Sequence, residues 1–383
     1  GRPGGPGVVG RIPAPPGAPT VLLYAHHDVQ PVADDWDTEP FEATEVGPRL
    51  YGRGAADDGA GVVAHIAALR ALGDELGVGI AFFIEGEEES GSPTFATLLD
   101  AHRDQLAADV VVIADSDNWA IGTPALTVSL RGMAELIVTL RIADHAVHSG
   151  MFGGPILDAP LLLARLIATL HDADGAVAVE GLPVTGSSDL EYPEAQLRAD
   201  ASLRPGVVLA GRGPIADRLW WSPSINLIGF DAKPVAEASG TIAPVARAKL
   251  SLRVPPGFDA AQGQALVHRH LEANAPFGAE VTVDRGAVGQ PFAVTPGTAS
   301  LAAAKWALST AWGAEAVDQG QGGSIPLIAI LNEVFPGIEV LITGVEDPDS
   351  RAHSGNESVH LGELRNAVLG EALLLARLAA DAR

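Results

Sequence analysis

The chain has 383 residues, enough for about two domains at roughly 100 to 200 residues each. Its 24 Lys and Arg stand against 48 Asp and Glu, a formal charge of −24 that repels phosphate backbones and argues against nucleic acid as a partner. With 47% apolar and 19% charged residues the composition is globular, and the absence of cysteine excludes disulfides, thiolate metal sites and a cysteine nucleophile.

The Gly- and Pro-rich stretch 1–19 contains no apolar run long enough for a signal peptide or a membrane span, which predicts a soluble, cytoplasmic chain with no membrane partner. Val21-Leu22-Leu23-Tyr24 then reads as a buried strand ending at His26. Gly59–Leu72 carries apolar residues at helical spacing, 80–84 is a second strand, 95–99 a helix, and 110–114 a further strand. Unbroken apolar strands alternating with helices predict an α/β domain, its mixed sheet covered by helices on both faces. Ligands gather beyond the carboxyl ends of such strands.

From about Ser129 the rhythm changes. Residues 135–142 and 249–254 alternate, 280–283 adds a strand, and 156–170 and Ala260–Ala273 are amphipathic. That pattern predicts an inserted α+β domain with a four-stranded sheet and two helices. Residues 173–223 are loop-rich and yield no element. After Gln290 the α/β pattern resumes with a helix near 298–312, a strand at 338–343 and a closing helix from Leu361. The predicted organisation is a discontinuous domain over 1–128 and 289–383, interrupted by an inserted domain over 129–288.

Five clusters carry side chains suited to chemistry, and without cysteine any metal must be held by nitrogen and oxygen. In Tyr24-Ala25-His26-His27-Asp28 an imidazole and a carboxylate share one side of an extended chain, where the carboxylate can fix the tautomer of a ligating histidine. The same pattern suits a polar strand end exposed to water. Asp57, just ahead of a predicted helix, suits a helix N-cap as well as a ligand. Glu85-Gly86-Glu87-Glu88-Glu89 crowds four carboxylates into five residues, as a solvated acidic turn does, and as a divalent cation or a general base requires. Asp115-Ser116-Asp117-Asn118-Trp119 closes a strand, and Arg351-Ala352-His353-Ser354-Gly355-Asn356-Glu357 lies on a loop after one. Together these clusters supply His, Asp, Glu, Asp and His at the ends of separate strands, a ligand set for two metal ions.

One further motif points elsewhere. Gly211-Arg212-Gly213-Pro214-Ile215-Ala216 matches a dinucleotide-binding fingerprint. It lies in the loop-rich part of the insert, with no alternating strands and helices before it to build the required sheet, so no nucleotide cofactor is expected.

In order and wording the five clusters resemble the co-catalytic dizinc metallopeptidase family of aminoacylases, carboxypeptidase G and carnosinase-type dipeptidases, over nearly the whole chain. The resemblance implies a zinc-exopeptidase-like catalytic domain and an insert that serves as lid and dimerisation domain. It implies that His26 and Asp117 ligate one zinc, that Glu89 and His353 ligate the other, and that Asp57 bridges both. Asp28 would orient His26, and Glu88 would act as general base and acid. The ligand types suit Mn²⁺ or Co²⁺ as well as Zn²⁺. The segment His145-Ala146-Val147-His148-Ser149-Gly150-Met151-Phe152-Gly153-Gly154 resembles the lid of the dipeptidase branch. There the histidine at the position of His148 reaches the active site of the other subunit to stabilise the oxyanion, which implies a homodimer. Arg253 resembles the lid arginine that grips the substrate's free carboxylate, and Ser324, in Gly322-Gly323-Ser324-Ile325-Pro326, resembles a second contact to that group. Three glycines depart from the family pattern. Gly59 stands where lysine is common, Gly240 where asparagine or threonine is usual, and Gly320 where an arginine often precedes G-G-S-I-P. Each removes a pocket side chain and none removes a ligand or Glu88. The implied activity is metal-dependent hydrolysis of dipeptides with a free C-terminal carboxylate. The alternatives are an N-acyl-amino-acid deacylase or desuccinylase with the same centre, and a metal-retaining binding protein without turnover.

Overall fold

The computed structural model of the chain describes residues 5–32, 35–323 and 326–382. Two compact units emerge, Gly1–Val128 with Val294–Gln319 and Ile325–Arg383, and Ser129–Ala293 with Gly320–Ser324.

The first unit is built on a five-stranded sheet in the order Val8–Ile12, Gly79–Glu85, Thr20–His26, Val110–Ile113, Glu339–Ile342. The last four strands are mutually parallel and only the edge strand Val8–Ile12 runs antiparallel. Every residue of Thr20–His26 is buried, because this central strand has helices over both faces, and that is why its sequence is continuously apolar rather than alternating. On one face Val21, Leu23, Ile80, Val112 and Leu341 pack against Leu374, Leu375 and Leu378 of the closing helix Leu361–Asp381. On the other, Tyr24, Phe83 and Phe95 form an aromatic cluster with ring centroids 5.4 to 6.2 Å apart. Parallel register places His26 opposite Glu85 at the carboxyl ends of neighbouring strands. The clusters that follow Thr20–His26, Gly79–Glu85 and Val110–Ile113 are thereby delivered to one edge of the sheet.

The second unit is a four-stranded antiparallel sheet in the order Ser224–Asp231, Val245–Val254, Gly132–Arg141, Glu280–Gly289. Here burial alternates along the strands, as it does through Gly132–Arg141, because only one face is covered. Leu136, Val138, Leu140, Leu250 and Leu252 meet the apolar faces of helices Ala159–Ala168 and Ala260–Ala273. Asp158 and Asp259 cap those helices, accepting from the amides of Leu161 and Gln262 and so satisfying donors the helix itself leaves free.

The loop-rich stretch, where sequence periodicity yields nothing, contains two short helices, Glu194–Asp200 and Ile215–Trp220. Each has fewer than two full turns of apolar face, too little for a periodic signal. The residues before the Gly211-to-Ala216 motif are loop rather than strand, and Gly211 and Gly213 serve as left-handed turn residues, so the strand that a dinucleotide fold needs does not precede it. Among the described residues no helix is long and apolar enough to cross a membrane.

Candidate metal centre

His26 ends the central strand and is fully buried. Its Nδ1 lies 3.0 Å from the carbonyl of Asp28 and 3.5 Å from that residue's Oδ1. The Asp28 carboxylate also accepts from the backbone amides of Glu88 and Glu89, both at 3.1 Å. Asp28 thus orients the imidazole, by hydrogen bond through its carbonyl and by charge through its carboxylate, while the same carboxylate pins the turn that carries the two glutamates.

The Nε2 side of the ring faces acids. His26 Nε2 is 3.0 Å from Asp57 Oδ1 and 3.8 Å from Asp115 Oδ1. The second oxygen of Asp57 lies 2.9 Å from His353 Nε2, which is also 3.3 Å from Glu89 Oε2. His26, Asp57 and Asp115 therefore converge within 4.8 Å of one another, as do Asp57, Glu89 and His353. Asp57 belongs to both groups, one carboxylate oxygen toward each histidine. Two three-ligand sets of oxygen and nitrogen sharing a carboxylate fit a pair of divalent cations.

Asp117 does not join either group; Asp115 does. Asp115 comes directly after Ala114, whose amide still bonds to Tyr24 as the strand ends, so its side chain stays beside His26. By Asp117 the chain has turned away. That residue bridges to Glu346 and accepts from Gln319 Nε2 through its carbonyl and its carboxylate. The N-cap question around Asp57 also resolves. The cap of Gly59–Leu72 is Asp58, which accepts from Gly61 N through one oxygen and from His26 N through the other, leaving the Asp57 side chain to the histidines.

Several residues support the centre through contacts that no local sequence pattern shows. Glu357 is completely buried, ion-paired to Arg53 at 2.5 Å, and accepts from the amides of Gly54, Ala56 and Asp57. It holds the loop that presents Asp57 from a position 300 residues away in sequence. Gln30 Nε2 donates to Glu89 Oε2 at 2.6 Å. Glu87 accepts from the amide and hydroxyl of Thr94, so it anchors the helix Phe95–Ala101 rather than the centre. His353 sits on a loop where Arg351, His353 and Asn356 all take left-handed backbone conformations, each costing about 1 kcal/mol or more. Asn356 locks that loop by two hydrogen bonds with Asp37.

The charge pattern is that of a centre waiting for cations. Burial alone would lower the His26 pKa, but hydrogen bonding to Asp115 and Asp57 outweighs it and pushes the imidazole up to about 12. Burial would raise Asp57, yet the hydrogen bond and charge of His26 bring it below the usual carboxylate range. Glu88 is raised to about 7 by burial, then by the charge of Asp115, and among the described residues no hydrogen bond ties down its carboxylate. In the metal-free protein the raised His26 pKa stabilises the fold fully below about pH 6.5, a contribution that declines progressively as pH rises from there toward about 12. A cation at Nε2 must displace that proton. Calorimetric titration of metal into stripped protein in two buffers of different ionisation heat is therefore expected to show release of about one proton or more and tighter binding at higher pH. Heats independent of buffer would contradict the assignment of His26.

The second unit carries the remaining candidates. His148 is exposed and caps the one-turn helix Ser149–Phe152, its Nδ1 accepting from Gly150 N at 3.0 Å. Its strand pairs with Thr241–Ile242, which brings Gly240 next to it, so two of the positions singled out in the insert are neighbours. Arg253 is half-buried on Val245–Val254. Ser324 lies outside the described residues. At Gly320 a Cβ would fall 2.5 Å from Cγ of Trp220; the indole occupies the space an arginine side chain would need.

A model of peptidase family M20/M25/M40 matches residues 22–377. Cysteinylglycine-S-conjugate dipeptidase of Corynebacterium striatum is 37% identical over 367 residues, covering 94% of this chain and 81% of its own. The β-Ala-His dipeptidase of Homo sapiens is 31% identical over 378 residues, 93% of this chain and 74% of its own. The crystal structure of human carnosine dipeptidase 1 superposes with a TM-score of 0.77 at 28% identity, covering 99% of this chain and 83% of that one.

Proposed function

The chain belongs to peptidase family M20/M25/M40, and from that premise we propose that it hydrolyses the peptide bond of dipeptides with a free C-terminal carboxylate at a dinuclear centre held by His26, Asp57, Asp115, Glu89 and His353. The observation that carries the reading is the single carboxylate of Asp57 set between two histidines, one oxygen to each. Relatives that match over most of their length are dipeptidases for Cys-Gly, its S-conjugates and β-Ala-His, which supports a dipeptide as the substrate. We assign Zn²⁺ as the metal, with Mn²⁺ and Co²⁺ as the other ions this donor set suits.

A cation pair bound there supplies Lewis acidity, lowering the pKa of a water and polarising the scissile carbonyl. The chain's own residues do the rest. Asp28 holds the imidazole of His26 in orientation and fixes the amides of Glu88 and Glu89. Glu88, half-buried and with its carboxylate tied down by no hydrogen bond among the described residues, takes the proton of the attacking water on that carboxylate and returns it to the departing amine. The family resemblance gives Arg253 the substrate's terminal carboxylate, His148 the oxyanion across a homodimer formed through the insert, and Ser324 a second carboxylate contact.

The test is a panel of dipeptides and N-acyl amino acids run on one metal-analysed sample. Turnover of dipeptides in excess of N-acetyl and N-succinyl amino acids is expected. Turnover confined to the N-acyl compounds would replace the reading with a deacylase, and no turnover by protein carrying both ions would replace it with a binding protein.

A further inference from the structure

Buried charge needs a partner, since removing an ion from water costs several kcal/mol unless an opposite charge and hydrogen bonds replace the solvent. The two arginines this fold buries most completely obey that rule: Arg49 pairs with Asp347 and Arg53 with Glu357. The second unit contains an exception. Arg131 and Arg253 are both half-buried, and among the described residues neither has a carboxylate within ion-pairing distance, in a chain with twice as many acids as bases.

The two side chains belong to one place. Arg131 Nη1 donates to Ser224 Oγ at 3.0 Å, and Ser224 is the residue directly opposite Arg253 on the neighbouring strand. The Nε of Arg131 is shielded from solvent and, among the described residues, has no hydrogen-bond partner. Its backbone amide bonds to the carbonyl of Gln321, drawing residues 321–323 alongside. A Cβ at Gly322 would stand 2.8 Å from Arg131 Nη2, so the guanidinium lies close beside the backbone of Gly322. Burial, then the charge of Arg253, pushes the Arg131 pKa down to about 10, and burial lowers Arg253. Two like charges are thus held together with donors to spare and no acid supplied.

We propose that Arg131 is a specificity-determining residue, forming with Arg253 a two-guanidinium site that selects dipeptides whose C-terminal residue, aspartate or glutamate, brings a second carboxylate. The terminal carboxylate alone answers one of the two charges. An acidic side chain on the same residue answers the other, and each guanidinium offers the planar fork that carboxylates fit. The inference rests on the dipeptidase reading, which already gives Arg253 the terminal carboxylate.

The experiment compares kcat/KM of the metal-loaded protein for Ala-Asp against Ala-Asn and Ala-Glu against Ala-Gln, pairs matched in shape and differing in charge. The wild type is expected to favour the acidic member by about tenfold or more, the worth of one charge-assisted pair. Arg131→Gln is expected to cut the acidic substrates about tenfold more than the amides, chiefly through KM, while Arg131→Lys, which keeps the charge, retains part of the preference. No acidic preference in the wild type, or equal losses on both members of each pair, would overturn the proposal. Calorimetric binding of succinate against acetate, on wild type and Arg131→Lys, decides the matter without turnover and without Arg131→Gln. Tighter succinate binding that weakens in the lysine variant supports the site, and equal affinities overturn it. Hydrolysis of Ala-Gly without acidic preference would sink this inference alone. Succinate selectivity in protein that cleaves no dipeptide would sink the dipeptidase reading and leave the arginine pair.

Discussion

Glu88→Gln is expected to lower kcat by about 10²- to 10⁴-fold, the range of a positioned general base and acid, with KM, melting behaviour and metal content close to wild type. The amide keeps the shape and the half-buried setting of the glutamate but cannot accept the water's proton. Because Glu88 is no member of either convergent ligand group, its loss should leave the cations in place. Residual activity within a few-fold of wild type would remove it from the proton path. The same residue sets the acid limb of the pH profile. Its pKa is about 7 without cations, raised by burial and by the charge of Asp115; two bound dications cancel that charge, so the limb in the loaded protein should fall below pH 7. Activity rising as pH drops through this range would contradict a carboxylate base.

Asp57→Asn is expected to be at least as severe by a different route. The carboxylate places one oxygen 3.0 Å from His26 Nε2 and the other 2.9 Å from His353 Nε2. An amide retains one acceptor and no charge, so one of the two cation positions loses its shared ligand. Metal content should drop from about two ions per chain to about one or fewer, with turnover down about 10³-fold or more as the two-metal chemistry is lost. Full stoichiometry in this variant would mean that Asp57 does not bridge. Glu357 should matter here too, since three amides of the Asp57 loop depend on its carboxylate.

Long apolar strands and amphipathic helices were legible in the sequence because burial on one or two faces imposes a period, and the centre was legible as a set because its members follow those strands. What escaped reading was what period cannot encode. The acidic pair Asp115 and Asp117 shows why: on an extended chain residues two apart share a face, so either fits the same motif, and only the point at which the chain turns separates them. Asp57 and Asp58 pose the same ambiguity at a helix start, where the cap is Asp58. The roles of Glu357 and Arg53 were illegible for another reason. Their pairing spans 304 positions, and no local pattern announces a contact closed by the whole fold. The strands Thr44–Val46, Arg49–Tyr51 and Ser358–His360 were missed because three residues cannot show alternation.

The claim on which the rest depends is that one shared carboxylate holds two cations that act together. The most direct measurement is to strip the protein, return Zn²⁺ in known steps and follow dipeptide hydrolysis against ions bound per chain. Activity should climb until two equivalents are bound, with loss of the second step in Asp57→Asn. Full activity at one equivalent, or in protein that holds none, would contradict a dinuclear centre.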